Sequence, residues 1–237
     1  MIKVEKLHYE VNRRLTRVNG EYNKNIKSVD IDAYLNHAID IINENYTAIV
    51  ERNITIGNHL RILEKKDVAI SINRDEEKFT VFNLPQDHYS TLDVSAKGTT
   101  TDCGEEDDIF VHNNFSDSIK ESLRSPNWNP NFNWRETFYD EFDNSVAIYH
   151  DGKLIVTKAY MSYISTLPHV ACVTCAKGNY ITPEGYTITS NKDFLIDNTA
   201  IWRKVCDLAL MLIRRDFEEN FNADVSLILF TEKAYLQ

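Results

Sequence analysis

From Lys3 to Asn19 the apolar residues Val4, Leu7, Val11, Leu15 and Val18 fall at three- and four-residue steps, and Gly20 follows them. This spacing lays one apolar stripe along a helix, and glycine readily ends one. Ser28 or Asp30 then offers an N-cap, and Ile31, Leu35, Ala38, Ile42, Ile49, Ile56, Leu60 and Leu63 carry on a helical stripe. Read as one element, this second helix exceeds roughly thirty residues, or about 45 Å. A helix that long outruns the core of a small domain. Leu35, Ile42, Ile49 and Ile56 are therefore expected at a contact between copies of the chain.

Beyond the helices the period changes. "VAISINRDEEKFTVFNLP" alternates apolar and polar residues about a charged turn and predicts a hairpin ending at Pro85. Residues 97–144 are polar, with "TTTDCGEEDD" and "RSPNWNPNFNWRETFYDEF", and predict an extended loop or elaboration. "SVAIYHDGKLIVTKAYMSYI" alternates again about Asp151 and Gly152, which predicts a second hairpin. From Asp197, a good N-cap, a third helix is apolar on most faces, with Trp202, Val205, Leu208, Ala209, Leu212 and Ile213 on its broadest stripe. The expected fold is α+β, a bundle of N-terminal and C-terminal helices with an inserted β-rich module. Its parts are residues 1–66, 67–195 and 196–237.

The segment "NADVSLILFTEKAYLQ" is apolar for a chain end. Folding back on its own subunit is the alternative, but the tail is expected to order on a partner. This makes Leu227, Ile228, Leu229, Phe230, Tyr235 and Leu236 a partner-binding tail.

Composition narrows the function. The 237 residues are 43% hydrophobic, enough for a sizeable core, and carry a net charge of −10. Such a charge disfavours binding to nucleic acid or anionic membrane as the main activity. The longest apolar run, "VCDLALMLI", is too short to span a bilayer, and the first residues lack a signal-peptide core, so a soluble protein made in a cytoplasm is expected.

The most chemical-looking stretch is "LPHVACVTC", in which His169, Cys172 and Cys175 stand at H-x-x-C-x-x-C spacing. A structural zinc site needs a second ligand pair, and Cys103 and Cys206 are isolated. A regular strand would turn Cys172 and Cys175 to opposite faces, so free, packed thiols are expected and no metal or other cofactor. The run Glu105–Asp108 lacks the spacing of a calcium loop and reads as solvated loop. His112, His150 and His169 stand too far apart to specify a catalytic geometry, and no phosphate-loop, dinucleotide, zinc-protease or serine-hydrolase motif occurs. Trp128, Phe132, Trp134, Phe138, Tyr139 and Phe142 lie among acids rather than Lys and Arg, which fits the cover of a sheet or a protein partner better than single-stranded nucleic acid.

The order of "EVNRRLTRVN", "FNLPQDHYS", "GKLIVTKAYMSYISTLPHV" and "GYTITSNKDFLIDNTAIWRKVCDLALMLIRRDF" resembles the head-to-tail adaptor or ring proteins of tailed bacteriophages, most of all those of podovirus type, including the crAss-like group. Tyr163, Ile164 and Pro168 stand for one family phrase, and Phe194 to Asp197 with Ile201 to Ile213 for another. The resemblance implies a virion structural protein and not an enzyme. It implies assembly in the host bacterial cytoplasm into a ring of about twelve copies, against the portal or an adjacent tail ring protein, with genomic DNA passing through unbound. Two rival readings are a small metal- or thiol-dependent hydrolase built on His169, Cys172 and Cys175, and an acidic monomeric binding module.

Overall fold

A computed structural model describes residues 1–18, 26–100, 106–113, 136–151, 153–176, 180–181, 187–217 and 225–230. The chain forms two compact units, one of residues 1–62 with 167–237 and one of residues 63–166. The segment after Leu167, which the sequence pattern groups with the strands, therefore belongs with the helices.

The helical unit holds α1 (Val4–Val18), α2 (Ser28–Glu44), α3 (Tyr46–Arg52), α4 (Ile54–Leu60), α5 (Thr199–Phe217) and α6 (Val225–Phe230). The stripe of α1 is fully used, with Val4, Leu7, Val11 and Leu15 buried. Arg14 of α1 bonds Glu10 and reaches Asp207 of α5, tying the two helices together. Asp30 accepts the Lys27 N–H at 2.9 Å at the start of α2, and Asn198 rather than Asp197 caps α5 by accepting from Ala200 N. α2 and α5 pack against each other, and Tyr34 donates to Asp216 across them.

The single long helix expected after Ser28 is three helices. Asn45 and Asn53 interrupt it: Asn45 Nδ2 donates to the Ile41 carbonyl, and the buried Asn53 Oδ1 accepts from Ile56 N, so each polar side chain takes over a backbone partner. Folding the stripe back on itself brings Gly57 against Val50, where a Cβ would lie 2.8 Å from the Val50 Cα. The consequence is that Leu35, Ile42, Ile49 and Ile56 are buried by residues of their own chain.

The second unit contains β1 (Glu64–Ile70), β2 (Ile72–Asp75), β3 (Phe79–Asn83), β4 (His88–Thr100), β5 (Glu106–Asn113), β6 (Glu136–Phe142), β7 (Ser145–Tyr149) and β8 (Leu154–Ser165). They form one eight-stranded sheet in the order β1-β8-β4-β5-β6-β7-β3-β2. This corrects the expected helical bundle with a β-rich insertion: the fold is mixed α/β, and its sheet is a major body of the protein. Part of the stretch read as loop supplies β5, β6 and the end of β4. Along β4 and β5, Val94, Ala96, Gly98 and Ile109 point inward while polar neighbours face water, and so dilute the apolar signal. Glu106 accepts from Lys158 Nζ at 2.9 Å and Asp108 lies 3.6 Å from Lys97, so this end of the acidic run is a paired strand face rather than a solvated loop.

Ile70 and Phe82, from strands near opposite ends of the order, share one core with Val94, Ile109, Tyr139, Val146, Ile148, Val156 and Met161, so the sheet curls around it. The β2–β3 hairpin forms as expected, pairing Asp75 with Thr80. The hairpin expected about Asp151 does not: β7 pairs with β3 and β6, and β8 with β1 and β4. The tight turn lies instead between β6 and β7, where Asp143 takes φ 51°. Gly98 is required by close packing, since a Cβ there would sit 2.6 Å from the Ile155 carbonyl oxygen.

Candidate functional site

The apolar stripe of α2 faces the core, and a second, polar stripe runs beside it. Asp32, Asn36, Asp40 and Asn43 recur at three- and four-residue steps. Each holds one point of the segment 167–172. Asn43 accepts from Leu167 N and donates to its carbonyl, Asp40 Oδ1 lies 2.7 Å from His169 Nε2, Asn36 pairs in both directions with the Val170 backbone, and Asp32 accepts from Cys172 N at 2.9 Å. A helix thus satisfies much of the backbone of an irregular segment, in which Ala171 alone is served by an antiparallel bridge to Lys192. The segment ends in a turn, with Cys175 N donating to the Cys172 carbonyl.

Asp32 is the centre of this arrangement. It is 1% exposed, and besides Cys172 N it accepts from Tyr180 Oη at 2.7 Å through the same oxygen. Its other oxygen lies 2.7 Å from Nε2 of His8, a residue of α1 that is itself only 3% exposed. A carboxylate and an imidazole buried together need such partners, because an unpaired buried charge is strongly disfavoured.

The sulfurs of Cys172 and Cys175 are joined as a disulfide, not free and not on opposite faces of a strand, since the chain turns between them. Cys172 is buried and Cys175 half-buried. The turn is held at both ends: Ser28 Oγ donates to the Cys175 carbonyl at 2.7 Å, and Thr174 and Asn191 both donate to Glu5 Oε1. Among the described residues, the histidine grouped with these sulfurs is His8 and not the candidate His169, which stays exposed on Asp40. Sequence spacing could not find His8, 164 positions away from Cys172; the polar stripe of α2 was the available signal.

The remaining candidates are dispersed. His112 is exposed on β5. His150 is buried, its Nε2 lying 3.4 Å from Thr80 Oγ1 and its Nδ1 without a partner, and burial pushes its pKa down. Cys206 is a free buried thiol whose pKa burial pushes up. Phe138 and Tyr139 are buried in the sheet unit while Phe142 is exposed. Glu105, Cys103, Trp128, Phe132, Trp134, Gly152, Tyr235 and Leu236 lie outside the described residues. Leu229 is buried, and α6 is fixed to α5 by Lys204, whose Nζ donates to the carbonyls of Ile228 and Leu229. Phe230 lies 5.4 Å from the Arg52 guanidinium. No described helix is long and apolar enough to cross a membrane.

No protein-family profile matches the chain, and no curated protein matches it.

Proposed function

We propose that the chain is a virion structural protein, a head-to-tail adaptor or ring subunit that assembles with copies of itself beneath the portal or against an adjacent tail ring. The observation that carries this reading is the apolar surface of the sheet unit. Ile72, Tyr89, Leu92, Phe110, Phe142 and Ile155, on five of its strands, are all exposed, Phe110 to 66%. Exposed apolar side chains that lie together mark a protein contact. The resemblance carried by Tyr163, Ile164 and Pro168, and by Phe194 to Asp197 with Ile201 to Ile213, points the same way. The net charge of −10 suits a conduit, since an acidic wall does not hold a phosphate backbone. The sheet unit supplies the contact between copies, and the helical unit supplies a rigid body.

Light scattering on the full chain over a concentration series tests this. The mass should rise toward that of a closed ring, and Phe110→Asp should keep the circular dichroism of the parent while abolishing the increase. A chain that remains monomeric at the highest concentration, or a Phe110→Asp variant that assembles like the parent, would sink the proposal.

A further inference from the structure

The cluster at Cys172 has more polar machinery than a disulfide uses. A cystine needs no imidazole or carboxylate beside it, yet His8 and Asp32 are buried there. A ring nitrogen of His8 and the two sulfurs lie within 4.8 Å of one another. Two thiolates and an imidazole bound to one tetrahedral zinc ion, at about 2.3 and 2.0 Å, stand roughly 3.6 to 3.8 Å apart. Small adjustments therefore suffice once the sulfurs separate.

We propose that the reduced form of this cluster is a zinc site, with Cys172, Cys175 and His8 as ligands and Asp32 as the residue that positions His8. The hydrogen bonds converging on Asp32 fix the chemistry. Its carboxylate accepts from Tyr180 Oη and Cys172 N, so it accepts also from His8 Nε2, and the hydrogen sits on that nitrogen. In this tautomer the lone pair is left on Nδ1, the nitrogen that a metal would take. A carboxylate holding the far nitrogen of a ligand histidine is the usual outer partner of protein-bound zinc. The fourth position falls to water, on the side where Cys175 is half-exposed.

The oxidised pair cannot bind, because both sulfurs are committed to each other. An external thiol or phosphine reductant delivers two electrons and two protons to the S–S bond, giving two thiols and the oxidised reductant. Zinc then displaces the two thiol protons to solvent. The bound ion would join α1 through His8 to the turn that α2 holds through Asp32 and Ser28, a cross-link within the helical unit alone.

The test uses the full chain, reduced with a phosphine and freed of metal, titrated with Co²⁺ and then Zn²⁺. We expect one cobalt per chain, with sulfur-to-cobalt charge-transfer absorption and tetrahedral d–d bands, and displacement by zinc. Cys175→Ser, at the half-exposed ligand, should lose most of the charge-transfer intensity. Asp32→Asn should weaken zinc binding by about 10- to 100-fold, and His169→Ala should change nothing. Circular dichroism keeps the variants interpretable: should Asp32→Asn unfold, Cys175→Ser and His169→Ala still decide. A cobalt spectrum without charge transfer, equal binding by Cys175→Ser, loss of binding in His169→Ala, or a pair that stays oxidised in full reductant would each overturn the proposal.

Discussion

Single residues account for how tightly each unit is held, and two histidines give the sheet unit its pH dependence. His88 and His150 both have pKa values below the ordinary 6.5, in each case chiefly because burial disfavours the charged ring, with nearby acids pulling weakly the other way. Among the described residues His150 also has no partner for Nδ1, so a proton there would be both charged and unpaired. The folded state thus binds fewer protons than the unfolded state as pH falls past 6.5. Their contribution is fully present above that value and is lost as pH drops toward and through the folded pKa values. Glu10, whose pKa is lowered chiefly by its bond to Arg13, shifts the balance only near and below its ordinary 4.5. Urea midpoints should therefore fall between pH 7 and pH 5.5, and the double variant His88→Gln, His150→Gln should flatten that change. A parent midpoint that is constant or rises toward pH 5.5 would contradict this.

Among the elements, the helices were the most legible. The spacing of Val4, Leu7, Val11 and Leu15 predicts α1, and that of Trp202, Val205, Leu208 and Leu212 predicts α5, because a one-sided apolar stripe has few other uses. The stripe from Ile31 to Leu63 was also real, but apolar spacing does not report whether a helix is continuous, and Asn45 and Asn53 break it without glycine or proline. Strands were less legible where partners are remote. Asp151 and Gly152 look like a hairpin turn, yet the flanking strands join other neighbours in the sheet, a choice that alternation cannot encode. α6 carries a prediction of its own. Leu229, buried beside Ile42, Ile49, Ile56, Leu60 and Ile201, closes the core of the helical unit, so part of the apolar tail serves its own subunit. Leu229→Ala should lower unfolding free energy by about 2–5 kcal/mol in a denaturant titration. A change below about 0.5 kcal/mol, the range of surface substitutions, would place the tail outside the core.

For the whole molecule, the chain buries its apolar helix stripes and leaves large apolar side chains exposed on both units, Tyr9 and Ile54 on helices as well as Phe110 on the sheet. Leu35, Ile42, Ile49 and Ile56 are covered from within, whereas Phe110 and Leu92 are not. The candidate site was half legible. Cys172 and Cys175 stood out by spacing, but His8, Asp32 and Tyr180 come from distant parts of the sequence and meet only because α2 holds the 167–175 segment against α1. Long-range pairing of that kind leaves no local trace. In the proposed assembly, exposed apolar side chains of the sheet unit join copies of this chain into a closed conduit. Negative-stain electron microscopy of the concentrated full chain measures this most directly. Closed rings of uniform copy number around an open channel are expected; a field of single subunits or irregular aggregates, with no closed ring at any concentration, would rule this assembly out.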